Sequence, residues 1–338
     1  MRDNTAVSEG LLRLLEEKVL DRRAEIVSCE ALTGGYSRVM TRIRLRWDGG
    51  SQETLILRSD PVEDEAVYRT DRRAEWELLR VLTESGTVPT PPARFYDDGR
   101  HLGTRTIVLA FCEGPSLHKL LSADKTDLAL RADQVAGTLA AIHGAPLGSF
   151  RSALTDPPAW DEYIQELIQQ WKMGERFHVE SVPILRYLAA WLGAHRPAPS
   201  DYKLVHGDFQ AANLLVTDRD LQVIDWEFAH VGDPREDLGW FNLYSASSGA
   251  PNLYALDPDR FLHVYRELTG ASALVVNEVT VTYFSVLAAT RTYLDILRSA
   301  AAMAEGSAHG VMITYSLNAV AVGNANWLST CLALTGAL

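Results

Sequence analysis

The stretch from Leu204 to Glu227, LVHGDFQAANLLVTDRDLQVIDWE, constrains this chain more than any other. Its apolar runs Leu214 to Val216 and Leu221 to Ile224 flank the turn-forming Thr217, Asp218, Arg219 and Asp220, which reads as a tight hairpin. His206, Asp208 and Asn213 precede that hairpin and Asp225 closes it. Any fold that accommodates the segment brings Asn213 and Asp225 to one end of a short antiparallel pair.

Such a set suits phosphoryl transfer. The reaction asks little covalent work of a protein, but needs an acceptor for the attacking hydroxyl's proton, oxygen ligands for Mg²⁺ and fixed geometry. His206, Asp208 and Asn213 match the H-x-D-x-x-x-x-N catalytic loop of kinases, and Asp225 stands where those enzymes place a metal-binding aspartate. Asp208 is the candidate proton acceptor. Asn213 and Asp225 are the candidate Mg²⁺ ligands, because a hard ion prefers oxygen donors and keeps part of its water shell. His206 is counted with the catalytic loop, and is expected to orient it by hydrogen bonds rather than to shuttle protons.

With VHGDFQAANLL, VIDWE in place of D-F-G, and GDPREDLGW from Gly232 to Trp240, the chain resembles the aminoglycoside phosphotransferase and choline kinase family of small-molecule kinases. The resemblance runs from about Leu32 to about Trp240 and is nearest to the kinase-type domains found beside or fused to acyl-CoA dehydrogenases. It implies an α+β, protein-kinase-like, two-lobed fold. Residues 1–112 would form a small nucleotide-binding lobe with an antiparallel sheet and one main helix. Residues 113–338 would form a larger, mostly helical lobe for catalysis and acceptor binding. ATP and Mg²⁺ are the implied cofactors.

The small lobe has the expected order. Gly34 and Gly35, with Ser37, precede the alternating run Val39 to Trp47, consistent with a glycine turn whose backbone N–H groups approach phosphates; a plain hairpin turn is the alternative. The strand Glu53 to Arg58 ends where kinases carry a phosphate-gripping lysine. Arg58 keeps its charge and offers a planar fork of donors, so it can hold a phosphate and a carboxylate, though it is not equivalent to lysine. Asp71 to Ser85 reads as a helix, with Gly86 as its stop. By resemblance Glu75 is the ionic partner of Arg58, and Glu77 its rival. Val88-Pro89-Thr90-Pro91-Pro92 breaks the chain, Thr106 to Phe111 forms a strand, and Phe111 to Glu113 with Gly114 resembles the hinge whose backbone binds adenine.

Helical spacing recurs at Leu128 to His143, Trp160 to Trp171 and Val182 to His195. Trp160 and Tyr163 read as core rather than as a substrate site. Only Trp226 to Val231 separate Asp225 from Gly232, which leaves no room for a peptide-presenting activation loop, so a small hydroxylated acceptor is favoured. By resemblance Asp237 braces the catalytic loop. Lys172, Arg176 and Arg235 are the cations that a hydroxyacyl-CoA or hydroxy-acid acceptor would call for. A nucleotide-binding regulator without catalysis is the reading from another class.

The net charge of −12 over 338 residues argues against nucleic acid or an anionic membrane as partner. Cys29, Cys112 and Cys331 are too scattered for a disulfide framework, and MRDNTAVSEGLLRLLEEK is amphipathic and acidic where an export signal would be basic and apolar, so a cytoplasmic setting is expected. Gly306 to Leu338 holds no charged side chain, yet its asparagines and hydroxyls favour a helix buried in the large lobe or at a homodimer contact over a membrane span.

Overall fold

A computed structural model describes residues 4–32, 39–61, 70–175, 183–218, 220–306, 329 and 331–336. Helix α1 (Asn4–Lys18) leads into strands β1 (Ala24–Leu32), β2 (Val39–Trp47) and β3 (Gln52–Ser59), then helix α2 (Arg72–Ser85), then β4 (Ala93–Asp98) and β5 (Arg105–Ala110). The strands make one antiparallel sheet in the order β1-β2-β3-β5-β4.

Alternation decides what each face of this sheet meets. In β2, Ile43, Leu45 and Trp47 are buried while Arg44 and Arg46 between them are exposed. Leu55 and Leu57 of β3 and Val108 of β5 join that buried face, where Val7, Leu11, Leu14 and Leu15 of α1 cover them. Removing each such side chain from water contributes roughly 1.5–3 kcal/mol. The lobe therefore has a second helix beyond the one expected, built from the amphipathic N-terminal run. Ile56 and Arg58 of β3 point to the opposite face, toward α2.

Helix α2 starts and stops where the sequence predicts. The Asp71 carboxylate accepts from the N–H groups of Arg73 and Ala74, and Gly86, at φ 60°, closes the helix in the left-handed conformation. Leu78, Leu79 and Leu82 pack in one core with Ile107 and with residues of the second lobe. That places Glu75 at the cleft side of the helix.

The second lobe holds α3 (Leu117–Ser122), α4 (Leu128–His143), α5 (Trp160–Glu175), α6 (Pro183–Ala194), the short strands β6 (Lys203–Val205), β7 (Leu214–Val216), β8 (Leu221–Val223) and β9 (His230–Gly232), and α7 (Arg235–Ser247), α8 (Leu253–Leu256), α9 (Pro258–Thr269) and α10 (Glu278–Ala304). The expected hairpin is β7 paired with β8, and β6 pairs with β9. The segment read as a chain break docks the lobes together. Val223 N–H donates to the Pro89 carbonyl at 2.8 Å, and the Thr90 hydroxyl donates to the Val223 carbonyl at 2.9 Å.

Most of Gly306 to Leu338 lies outside the described residues. Cys331, within it, is buried in a core with Leu188, Leu192 and Tyr283. Among the described residues no helix is long and apolar enough to cross a membrane.

Candidate active site

The loop from β6 to β7 carries Asp208 and Asn213. Gly207 turns it at φ 81°, where a Cβ would run into the Phe228 carbonyl oxygen, so glycine is required there. Asn213 Nδ2 donates to Asp208 Oδ2 at 2.8 Å and to the Asp208 carbonyl at 3.0 Å. Gln210 Nε2 and the Trp240 indole N–H both donate to Asp208 Oδ1, at 2.7 and 2.8 Å. Three donors thus fix both carboxylate oxygens. Burial, and after it the charge of Asp225, push the Asp208 carboxyl up to about 7, against the pull of those hydrogen bonds. A carboxylate poised near neutrality is matched to accepting a proton.

Asp225 comes to the same place along the hairpin. Ile224 N–H donates to the Asn213 carbonyl at 3.0 Å, so Asn213 lies beside the residue preceding Asp225. Asp225 has φ 71°, a left-handed conformation that costs a non-glycine residue roughly 1–3 kcal/mol and that folds retain mainly at functional positions. Because Asn213 turns its amide nitrogen to Asp208, its carbonyl end points elsewhere, and with the Asp225 carboxylate it offers the hard oxygen donors that suit Mg²⁺.

His206 is wholly buried and uses both ring nitrogens inside the fold. Its Nε2–H donates to the Ile224 carbonyl at 3.0 Å, and Asp208 N–H donates to its Nδ1 at 3.2 Å. Burial keeps its pKa below the ordinary histidine value. It ties the loop to the strand before Asp225 and is not aimed into the cleft. Beneath it, Asp237 accepts from the N–H groups of His206 and Gly207 at 2.8 and 2.9 Å, and from His143 Nε2–H at 3.1 Å. The Tyr265 hydroxyl donates to His143 Nδ1 at 2.7 Å and completes the chain.

Across the cleft Arg58 is buried, which excludes a solvent-facing strand end. It pairs with Glu75 at 3.3 Å, with Glu227 at 3.3 Å, and with Asp225 by a direct hydrogen bond. Burial alone would weaken its hold on a proton, but these three carboxylates raise it well above the usual arginine range. Glu75 also takes Arg72 as partner, and Arg72 reaches Asp60 at 3.1 Å. Glu77 instead joins exposed pairs with Arg73 and Arg80.

A cavity of about 300 Å³ opens between the lobes. Leu32, Met40, Ile56 and Leu109 line it from the sheet, Leu215 and Ile224 from the hairpin, and Arg58, Glu75 and Asp225 at its polar end. Phe111, Cys112 and Gly114 border it. Phe111 N–H is taken by the Thr54 carbonyl at 3.0 Å. After β5 the chain passes tight against β7, with Gly114 at φ 147° where a Cβ would meet the Val216 carbonyl oxygen. Glu113, expected at the hinge, borders a separate depression with Asp218, Asp220 and Gln222 rather than the lobe-spanning cavity. Gly34, Gly35 and Ser37 lie outside the described residues, as do Arg176 and the side chain of Lys172. Arg235 does not face an acceptor. It is fully buried, bidentate on Asp233 at 2.9 and 2.7 Å, and donates to the Val275 and Ala198 carbonyls.

A model of the phosphotransferase enzyme family matches residues 28–268, well over half of the sequence. The chain belongs to that family. Among relatives of this phosphotransferase-family chain, acyl-CoA dehydrogenase family member 10 of Mus musculus is 29% identical over 210 residues, which are 59% of this chain and 19% of the relative. Acyl-CoA dehydrogenase family member 11 of Homo sapiens is 23% identical over 249 residues, 67% of this chain and 31% of the relative. The chain therefore spans between about a fifth and a third of their length. A candidate aminoglycoside phosphotransferase of Ralstonia eutropha superposes with TM-score 0.71 at 19% identity, covering 97% of this chain and 98% of that one. The macrolide 2'-phosphotransferase of Brachybacterium faecium gives 0.60 at 20%, covering 96% and 98%. The GDP complex of aminoglycoside 2'-phosphotransferase-IIIa gives 0.57 at 17%, covering 98% and 97%. At such identities the likeness establishes the fold, which is the protein-kinase-like, two-lobed one.

Several site residues escaped the sequence reading. Gln210, Glu227 and Trp240 stood inside the quoted motifs without a role. Arg72 carried a signal, its i, i+3 spacing to Glu75. His143 carried none, since its partners Asp237 and Tyr265 are remote in sequence.

Proposed function

We propose that this protein is an ATP-dependent O-phosphotransferase acting on a hydroxyl of a small molecule. The observation that carries the reading is an oriented carboxylate, Asp208, hydrogen-bonded to Asn213 and near enough to Asp225 to feel its charge, beside a lobe-spanning cavity that Arg58, Glu75 and Asp225 border and whose other lining is mainly apolar and sized for a purine. The Phe111 carbonyl and the Cys112 N–H, just past the end of β5, are the groups suited to pair with the base. Arg58, spread between Glu75 and Glu227, is suited to hold phosphate oxygens.

In the reaction, the acceptor oxygen bonds to the γ-phosphorus, the bond from that phosphorus to the β-bridging oxygen breaks, the hydroxyl proton passes to Asp208, and ADP leaves. Mg²⁺ held by Asn213 and Asp225 supplies charge neutralisation on the phosphates when bound. Asp237 keeps the loop backbone in place while Gln210, Asn213 and Trp240 keep the Asp208 carboxylate turned to its task. The GDP complexes of related folds leave GTP as a rival donor. The relatives named acyl-CoA dehydrogenase family members bring a hydroxyacyl-CoA or hydroxy acid in beside aminoglycoside-type acceptors. A cytoplasmic setting fits the three free cysteines.

The test is transfer of label from γ-labelled ATP or GTP, with Mg²⁺, to a panel of aminoglycosides, amino alcohols, sugars and hydroxyacyl thioesters. Labelled acceptor is the expected result. A protein that binds nucleotide but labels nothing in the panel is a regulator, and the proposal fails.

A further inference from the structure

Next to Asp208, outside the lining of the nucleotide cavity, stand an aromatic ring and a cation that the transfer chemistry leaves unused, joined to Asp208 through Trp240. Trp240, whose indole N–H grips Asp208, stacks on Tyr244 one turn further along α7, with ring centroids 4.8 Å apart. The Arg291 guanidinium of α10 lies over the Trp240 ring of this aromatic shelf, 5.5 Å from its centroid. Its side chain is 27% exposed and its one ionic partner among the described residues is Glu236, at the long distance of 3.7 Å.

Glu236 makes its hydrogen bonds through Oε1, while the Oε2 that Arg291 faces is buried without a hydrogen bond. The Tyr163 hydroxyl and the Asp233 N–H both donate to its Oε1, and His230 sits 3.5 Å from the same atom. Arg291 makes no hydrogen bond to any described residue, so the donors of its fork are left for a ligand, with Nη1 on the Glu236 side. One indole ring separates this cation from the proposed proton acceptor.

We propose that Trp240, Tyr244 and Arg291 form the acceptor subsite, and that it selects hydroxy compounds bearing an anionic group over cationic ones. This rests on the phosphotransferase reading above and names the substrate class for it. The aromatic shelf takes the carbon chain by its apolar face, Arg291 takes a carboxylate or phosphate at one end, and the hydroxyl at the other end reaches Asp208. A polyamine acceptor would set its ammonium groups against the guanidinium, a like-charge contact that costs affinity. Arg291 is thereby a specificity-determining residue.

The test uses four acceptors sharing one short hydroxylated chain: the carboxylate, its CoA thioester, its neutral amide and the corresponding amino alcohol, with kanamycin as a polycationic comparison. The wild type should use the carboxylate or the thioester with kcat/KM at least about tenfold above the amide, and the amino alcohol and kanamycin least well. Preference for the carboxylate identifies that group as the anion recognised; preference for the thioester identifies the CoA phosphates. Arg291→Gln should bring the anion-to-amide ratio toward one through a rise in KM, and Arg291→Lys should recover part of it, with thermal unfolding checking both folds. Fastest transfer to the amino alcohol or to kanamycin, or an unchanged ratio in a folded Arg291→Gln protein, overturns the inference while the phosphotransferase reading stands. Transfer to none of the five overturns both.

Discussion

The two sides of the cleft hold their polar groups by different physics. On the loop side nearly every buried polar atom has a hydrogen-bond partner: Asp237 serves two backbone N–H groups and His143, while Asp208 is served by three side chains. On the Arg58 side two guanidinium groups, Arg58 and Arg72, face four carboxylates, Asp60, Glu75, Asp225 and Glu227. Arg58 Nε and Arg72 Nη2 are buried without a hydrogen bond even so. The first arrangement is one structure with one geometry. The second is a charge cluster of shared partners, and under the proposed function phosphates and a cation would enter it. Under the proposed function, catalysis by positioning would use both, a fixed base and an adjustable clamp.

Breaking the fixed side should have the largest effect. Asp237→Ala strands two buried N–H groups and His143 together, and should cost roughly 3–5 kcal/mol in urea unfolding. The same group sets an acid limb. Burial pushes the Asp237 carboxyl up, but the His143 hydrogen bond and the charges and N–H groups around it outweigh that and hold it below the ordinary aspartate value. Its contribution to stability is therefore complete above the unfolded pKa of about 3.9 and lost as pH falls through the lower folded value. The Asp237→Asn protein should lack that part of the acid-unfolding slope.

Perturbing the adjustable side should act on turnover more than on fold. Arg58→Lys keeps the charge but cannot span Glu75, Asp225 and Glu227 at once, and at roughly 1.5–3 kcal/mol per charged hydrogen bond, kcat/KM for nucleotide should fall about ten- to a hundredfold. A near-normal value would mean that the three-carboxylate contact is incidental. Trp240→Phe keeps the ring yet removes one donor from Asp208 Oδ1, and kcat should drop by about fivefold, near 1 kcal/mol. Smallest is Asp71→Ala, which removes the N-cap of the helix carrying Glu75 and should cost about 1 kcal/mol of stability in thermal or urea unfolding.

The same contrast explains what the sequence made legible. The hairpin, helix α2 with its glycine stop, helix α4 and strand β2 were readable because each is specified by local periodicity, turn residues or a stop signal. Strands β6 and β9 were not, because three-residue strands carry no period and pair across the whole loop. Asp208, Asn213 and Asp225 stood out through a spacing that survives in one continuous segment. The Arg58 cluster is assembled from β3, α2 and the turn after β8, so only its Arg58–Glu75 contact could be anticipated, by resemblance, and Glu227 gave no sign of its burial. Arg235 looked like a surface cation beside an acceptor, and only the tertiary contacts with Asp233, Ala198 and Val275 show why it is buried instead.

The most direct measurement is the rate of phosphate transfer by Asp208→Asn, with nucleotide affinity followed in parallel. The substitution preserves shape and removes the proton acceptor, so turnover should fall by about 10²- to 10⁴-fold while nucleotide binding stays within a few-fold of wild type. Turnover near the wild-type rate would show that Asp208 is not where the hydroxyl proton goes.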